Sequence, residues 1–148
     1  MKSIKYFIQF FVILIFFLIF KILGLKYASY FSGKIVSLVG PLFRPKNLIK
    51  SNILKALPNL HQNDLHKISK NMWNNYGRIL AEYIFIKDFR KSKFQDNIEI
   101  KGQEILDQIK KHDEPVIFIS GHFNNFELMA MQIEKSGIDL AVVYRPLN

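Results

Sequence analysis

The chain opens on its longest apolar run. In "YFIQFFVILIFFLIFKILGL" (residues 6 to 25), 17 of 20 positions are apolar, with no alternating or one-sided polar pattern. A helix of about 20 such residues rises about 30 Å, the thickness of a bilayer's hydrocarbon core, so the run predicts a membrane anchor. A cleaved signal peptide competes with this reading, but the run is long and no small-x-small site closes it. "YASYFSGKIVSLV" (27 to 39) mixes apolar and small residues at helical spacing up to Gly40-Pro41 and predicts a second, interfacial helix. "KNLIKSNILKAL" (46 to 57) reads as a short basic amphipathic helix halted by Pro58, with Leu48, Ile49, Ile53, Leu54 and Leu57 on one stripe. Asp64 is suited to cap a longer helix reaching about Lys87, in which Leu65, Ile68, Met72, Tyr76, Ile79 and Tyr83 recur at helical steps. Gly77 inside that helix costs about 1 kcal/mol relative to alanine and points to close approach by another backbone. "KDFRKSK" (87 to 93) reads as a solvated charged connection.

From residue 97 the period changes. "NIEIKG" (97 to 102) alternates like a strand, and "PVIFISG" (115 to 121) and "DLAVVY" (139 to 144) are continuous apolar strands. Helices at 103 to 112 and 125 to 137 separate them, the second ending at Gly137. Strand, helix, strand, helix, strand at these lengths predicts an α/β fold with a partial parallel sheet and right-handed crossovers. The expected organisation is therefore an anchor helix (1–26), basic membrane-proximal helices (27–63) and an α/β portion (64–148).

Charge sharpens this division. Residues 1 to 63 carry nine Lys or Arg and no acid, whereas residues 64 to 148 carry twelve of each sign, so the whole net charge of +9 lies beside the apolar run. Six of those cations follow the run and two precede it, which by the positive-inside bias places the rest of the chain in the cytoplasm. Membrane lipids with anionic headgroups are the expected partners, and nucleic acid is not. The absence of cysteine excludes disulfides, thiolate catalysis and cysteine-ligated zinc.

One stretch carries candidate chemistry. In "SGHFNNFELMA" (120 to 130), His122 follows an apolar strand and Glu127 lies five positions on. Two residues five apart on one helix are about 140° apart, so they meet only if His122 sits in the loop and Glu127 in the helix, with Asn124 or Asn125 capping. Glu127 would then orient the imidazole as a base, at the strand end where open α/β sheets bind ligands. Ser120 lacks the glycine of a nucleophile elbow, and no second histidine stands at metal-ligand spacing. The spacing alone fits a structural histidine with a glutamate on a helix face better than it fits a base and its orienter.

The run "SGHFNNFE" followed by "VVYRPLN" (142 to 148) resembles the bacterial lipid A late acyltransferases, the lauroyl and myristoyl transferases, whose mark is His, four residues, then Asp or Glu. The likeness extends to "MWNNYGRILAEY" (72 to 83), "IEIKGQEIL" (98 to 106) and the apolar N-terminal segment. It implies a sheet of the lysophospholipid-acyltransferase type in an enzyme of the bacterial inner membrane whose active site faces the cytoplasm. Acyl carrier protein would be the acyl donor and a hydroxyl of the lipid A precursor the acceptor. His122 would be the base, Glu127 its charge partner and Arg145 a substrate-phosphate or structural contact. No cofactor or metal is implied, because the donor is a thioester.

The family's members run well beyond this length, and the apolar strands expected at 116–119 and 140–143 have few residues left to cover them. The sequence therefore reads as a truncated, weakly active or inactive piece, with a separately encoded C-terminal half as a candidate partner. Two other functions compete: a glycerolipid acyltransferase, which shares the His-x4-Asp chemistry, and a non-enzymatic membrane-anchored basic module.

Overall fold

The computed structural model of the protein describes residues 2–91, 93–112 and 114–143. Its helices are α1 (Lys2–Val39), α2 (Lys46–Ala56), α3 (Gln62–Glu82), α4 (Ile86–Arg90), α5 (Gln103–His112) and α6 (Glu127–Lys135), with 3-10 turns at Gly40–Leu42, Tyr83–Phe85 and Gln95–Asn97. They fall into two compact units, Met1–Phe85 and Ile86–Asn148.

The first unit is built on α1 packed against α3. The apolar run and the expected interfacial helix are joined in α1, but Gly24 breaks the helical path with φ 75 and ψ 166, a conformation open essentially to glycine. By length and composition α1 and the 3-10 turn after it make a candidate membrane span, Ile4–Leu42, and the apolar side chains before Gly24 are almost all exposed. Beyond Gly24 its packed face is made of small residues. Ala28, Ser29, Ser32 and Gly33 are buried, and α3 answers with buried Gly77 and Ala81. Small side chains let the two backbones approach, as the interior glycine implied. A Cβ on Gly77 would collide with the Ser32 carbonyl, and one on Gly40 would run into the Trp73 indole. Two hydrogen bonds bridge the helices: Ser32 Oγ donates to the Gly77 carbonyl at 2.6 Å and Ser29 Oγ to Glu82 Oε1 at 2.8 Å. Lys21, near the end of the apolar run, lies 5.0 Å from the ring centroid of buried Phe85.

The N-cap of α3 is His61 rather than Asp64, which stands in the first turn where its charge complements the helix dipole. The charged connection after α3 is also more ordered than its composition suggests, since α4 forms there and buries Phe89.

The second unit corrects the expected fold class. Among the described residues there is no β-strand, and so no partial parallel sheet. Helices α5 and α6 form where the periodicity places them, but the described residues of the segments read as strands form no strand. Ile117 and Ile119 are 91% and 92% exposed and Val143 is fully exposed. A parallel sheet is stable when helices cover both faces, and in this unit the apolar side chains of 115–121 and 139–143 gain no such cover. Alternation and apolarity describe what a strand would present to its neighbours; the ladder itself needs those neighbours.

Candidate active site

The site forms in the loop between the apolar segment 115–121 and α6. A Cβ on Gly121 would lie 2.6 Å from the Phe123 ring, so glycine is what allows Phe123 to fold back over this turn. The Phe123 N–H donates to the Gly121 carbonyl at 2.8 Å, and Asn124 takes a left-handed conformation, φ 47, tolerated by its short polar side chain. Asn124 therefore sits in the turn ahead of α6 and is not its N-cap. The cap is Phe126, without a side-chain hydrogen bond. The first turn closes instead through 3-10 bonds, with Leu128 N–H donating to the Asn125 carbonyl at 3.0 Å and Met129 N–H to Phe126 at 3.1 Å.

His122 lies exposed in this turn, its ring set edge-on to Phe126 with centroids 4.5 Å apart and planes at 67°. Glu127 follows as the first residue of α6, half-buried, with Oε2 withdrawn from solvent. Its charge lies at the positive end of the helix dipole. The structure thus brings His122 and Glu127 to the same end of α6, one in the loop and one in the helix. Ser120 hydrogen-bonds locally, to the Gly121 carbonyl at 3.2 Å. Arg145 lies outside the described residues.

Residues that sequence reasoning did not single out hold α6 in place. Arg90 Nη2 donates to Glu134 Oε1 at 2.6 Å, and this carboxylate holds the guanidinium above its ordinary pKa through the hydrogen bond and its charge. Both side chains are about half exposed, so the pair steers more than it stabilises. On the other flank Gln132 Nε2 donates to Gln103 Oε1 at 3.2 Å, while Gln103 Nε2 reaches Asp107 Oδ1 at 3.0 Å and Ser136 Oγ at 3.3 Å. The positions of Gln103 and Gln132 in amphipathic helices are visible in sequence, but their meeting is not. Beside α6 a groove of about 550 Å³ is lined by Ile98, Ile100, Ile105, Leu106, Phe118, Leu128, Met129 and Ile133. Among the described residues no cluster of three His, Asp or Glu side chains has the geometry to hold a metal.

An exposed imidazole thus lies in the loop just ahead of a helix-borne carboxylate, in a chain whose N-terminal helix is long and apolar enough to cross a membrane. The family model described as bacterial lipid A biosynthesis acyltransferase matches residues 1–148, and the chain belongs to that family. Membership implies acyl transfer, with a lipid A precursor and an acyl donor as substrates. Neither the curated proteins nor the solved structures return a match.

Proposed function

We propose that the protein transfers a fatty acyl group from acyl carrier protein to a hydroxyl of the lipid A precursor, with His122 as general base and Glu127 as its orienting carboxylate. The observation that carries this reading is the solvent-accessible imidazole held edge-on to Phe126 at the mouth of α6, with Glu127 in the adjoining turn. In the reaction the acceptor hydroxyl oxygen attacks the thioester carbonyl carbon while His122 takes the hydroxyl proton. The carbon–sulfur bond then breaks, and the imidazolium returns its proton to the departing thiolate, leaving an ester and a thiol. Glu127 favours the imidazolium that forms between these steps. The thioester supplies the activation, so the chemistry requires no protein nucleophile, metal or cofactor.

The same reading places the enzyme in a bacterial inner membrane with its second unit in the cytoplasm. Support comes from the exposed apolar first part of α1 and from the excess of Lys and Arg that follows it. Purified full chain in detergent, given acyl carrier protein thioester and lipid A precursor, tests the chemistry. His122→Ala is expected to lower kcat by about 10²–10⁴-fold, the worth of a general base, and Glu127→Gln by less. Turnover that survives His122→Ala would remove the imidazole from the mechanism.

A further inference from the structure

Beyond Gly24, α1 presents three sectors. One is the small-residue face packed on α3, and a second carries Lys26 and Lys34. The third has no partner: Tyr27, Phe31, Ile35 and Leu38 recur at helical spacing and continue into Leu42 and Phe43. All six are exposed, Leu38, Leu42 and Phe43 by 80% or more. Large aromatic and aliphatic side chains in one stripe are costly to leave in water.

We propose that this stripe is a second membrane contact, lying in the headgroup and upper acyl region of an anionic bilayer and separate from the span before Gly24. It rests on the membrane placement of α1 given above. Three observations choose a lipid surface as the occupant. The stripe runs through the second half of the candidate span, Ile4–Leu42, and continues along the same helix from the exposed apolar residues before Gly24. Its neighbours along the chain are cationic: Lys26 and Lys34 flank it, Arg44 and Lys46 follow it, and no Asp or Glu occurs before Asp64, while Glu82, which α3 brings to this part of α1, is bonded to Ser29 on the face packed against α3. Its composition is interfacial, with Tyr27 at one end, and in the adjoining sector the Lys34 ammonium lies 5.5 Å from the Tyr30 centroid. A protein partner for this face would need acidic residues around an apolar centre, whereas a membrane of anionic lipid presents both charge and hydrocarbon over the whole stripe.

The chain has no cysteine, so single sites can be labelled in the full protein. Ile15→Cys reports on the span, Leu38→Cys and Phe43→Cys on the stripe, and Lys70→Cys on an exposed position of α3. Each is coupled to an environment-sensitive fluorophore and reconstituted into vesicles of phosphatidylglycerol and phosphatidylethanolamine carrying nitroxide at the 5 or 12 position of the acyl chain. The label at position 15 should be quenched best by the deep nitroxide. Labels at 38 and 43 should be quenched best by the shallow one, several-fold more than the label at 70. Replacing Lys26, Lys34, Arg44 and Lys46 by Glu should abolish quenching at 38 and 43 and leave it at 15. Labels at 38 and 43 that stay as unquenched as the one at 70, while position 15 is quenched, overturn the inference but not the anchor. Labels shielded from both water and nitroxide mark a protein partner and overturn it as well. No quenching at 15 removes the anchor reading itself. Quenching at 38 and 43 that ignores charge reversal overturns the anionic preference.

Discussion

At Gly77 a single methyl group would have to share space with the Ser32 carbonyl and the Val36 side chain. Alanine is intrinsically better than glycine in a helix by about 1 kcal/mol, but a carbonyl cannot move aside as a flexible side chain can, and overpacking costs about 1–3 kcal/mol. Gly77→Ala should therefore destabilise the first unit by roughly 1–2 kcal/mol, read as a lower urea midpoint for loss of helical circular dichroism in detergent. Ser32→Ala should lose about 1 kcal/mol by the same measurement, since the Gly77 carbonyl already accepts its intrahelical bond and forfeits only the second. The glycine's purpose was legible in sequence because a residue so unfavourable inside a strong amphipathic pattern needs a reason. The residue it meets was not, because contact between positions 45 apart leaves no local mark. Asn124 shows the opposite case: asparagine suits both an N-cap and a left-handed turn, and only the folded backbone decides between them.

The helices were largely legible from periodicity and the strands were not, and the difference follows from where each element's hydrogen bonds close. A helix satisfies its backbone within four residues, so the patterns over α2, α3, α5 and α6 suffice to place them. A parallel strand depends on partners far along the chain, and apolar segments such as 115–121 announce a need for cover without supplying it. Since Ile117 and Ile119 are exposed, replacing both with Lys should change unfolding free energy by no more than about 0.5 kcal/mol and should reduce light scattering on concentration. A large loss of stability would mean that these side chains are buried in solution. Helix α6, by contrast, is held through specific polar contacts. Gln132→Leu breaks its link to Gln103 and should speed amide exchange in α6 and lower kcat, with the α1–α3 pair unaffected. His122 and Glu127 stand out as a candidate pair through the family resemblance, their spacing alone favouring a structural histidine, whereas the contacts of Arg90, Gln103 and Gln132 around α6 leave no mark in sequence, because those residues converge only when α4, α5 and α6 pack.

For the molecule as a whole, the division at Phe85 and Ile86 separates the α1–α3 pair, with its exposed apolar side chains, from the unit that holds His122 and Glu127. Each has its own contacts, so Gly77→Ala should lower exchange protection in α1 and α3 while that of α5 and α6 is retained; equal loss in both would show one cooperative unit. The sharp turn of the path at Gly24 then acquires a mechanical meaning. A membrane helix answers a thicker or thinner hydrocarbon layer by leaning, and an unbroken rod of the length of α1 would transmit every degree of that lean to whatever it carries. On the proposed membrane placement, a joint at residue 24 lets the apolar rod before it pivot as lipid composition varies without turning the part beyond along with it.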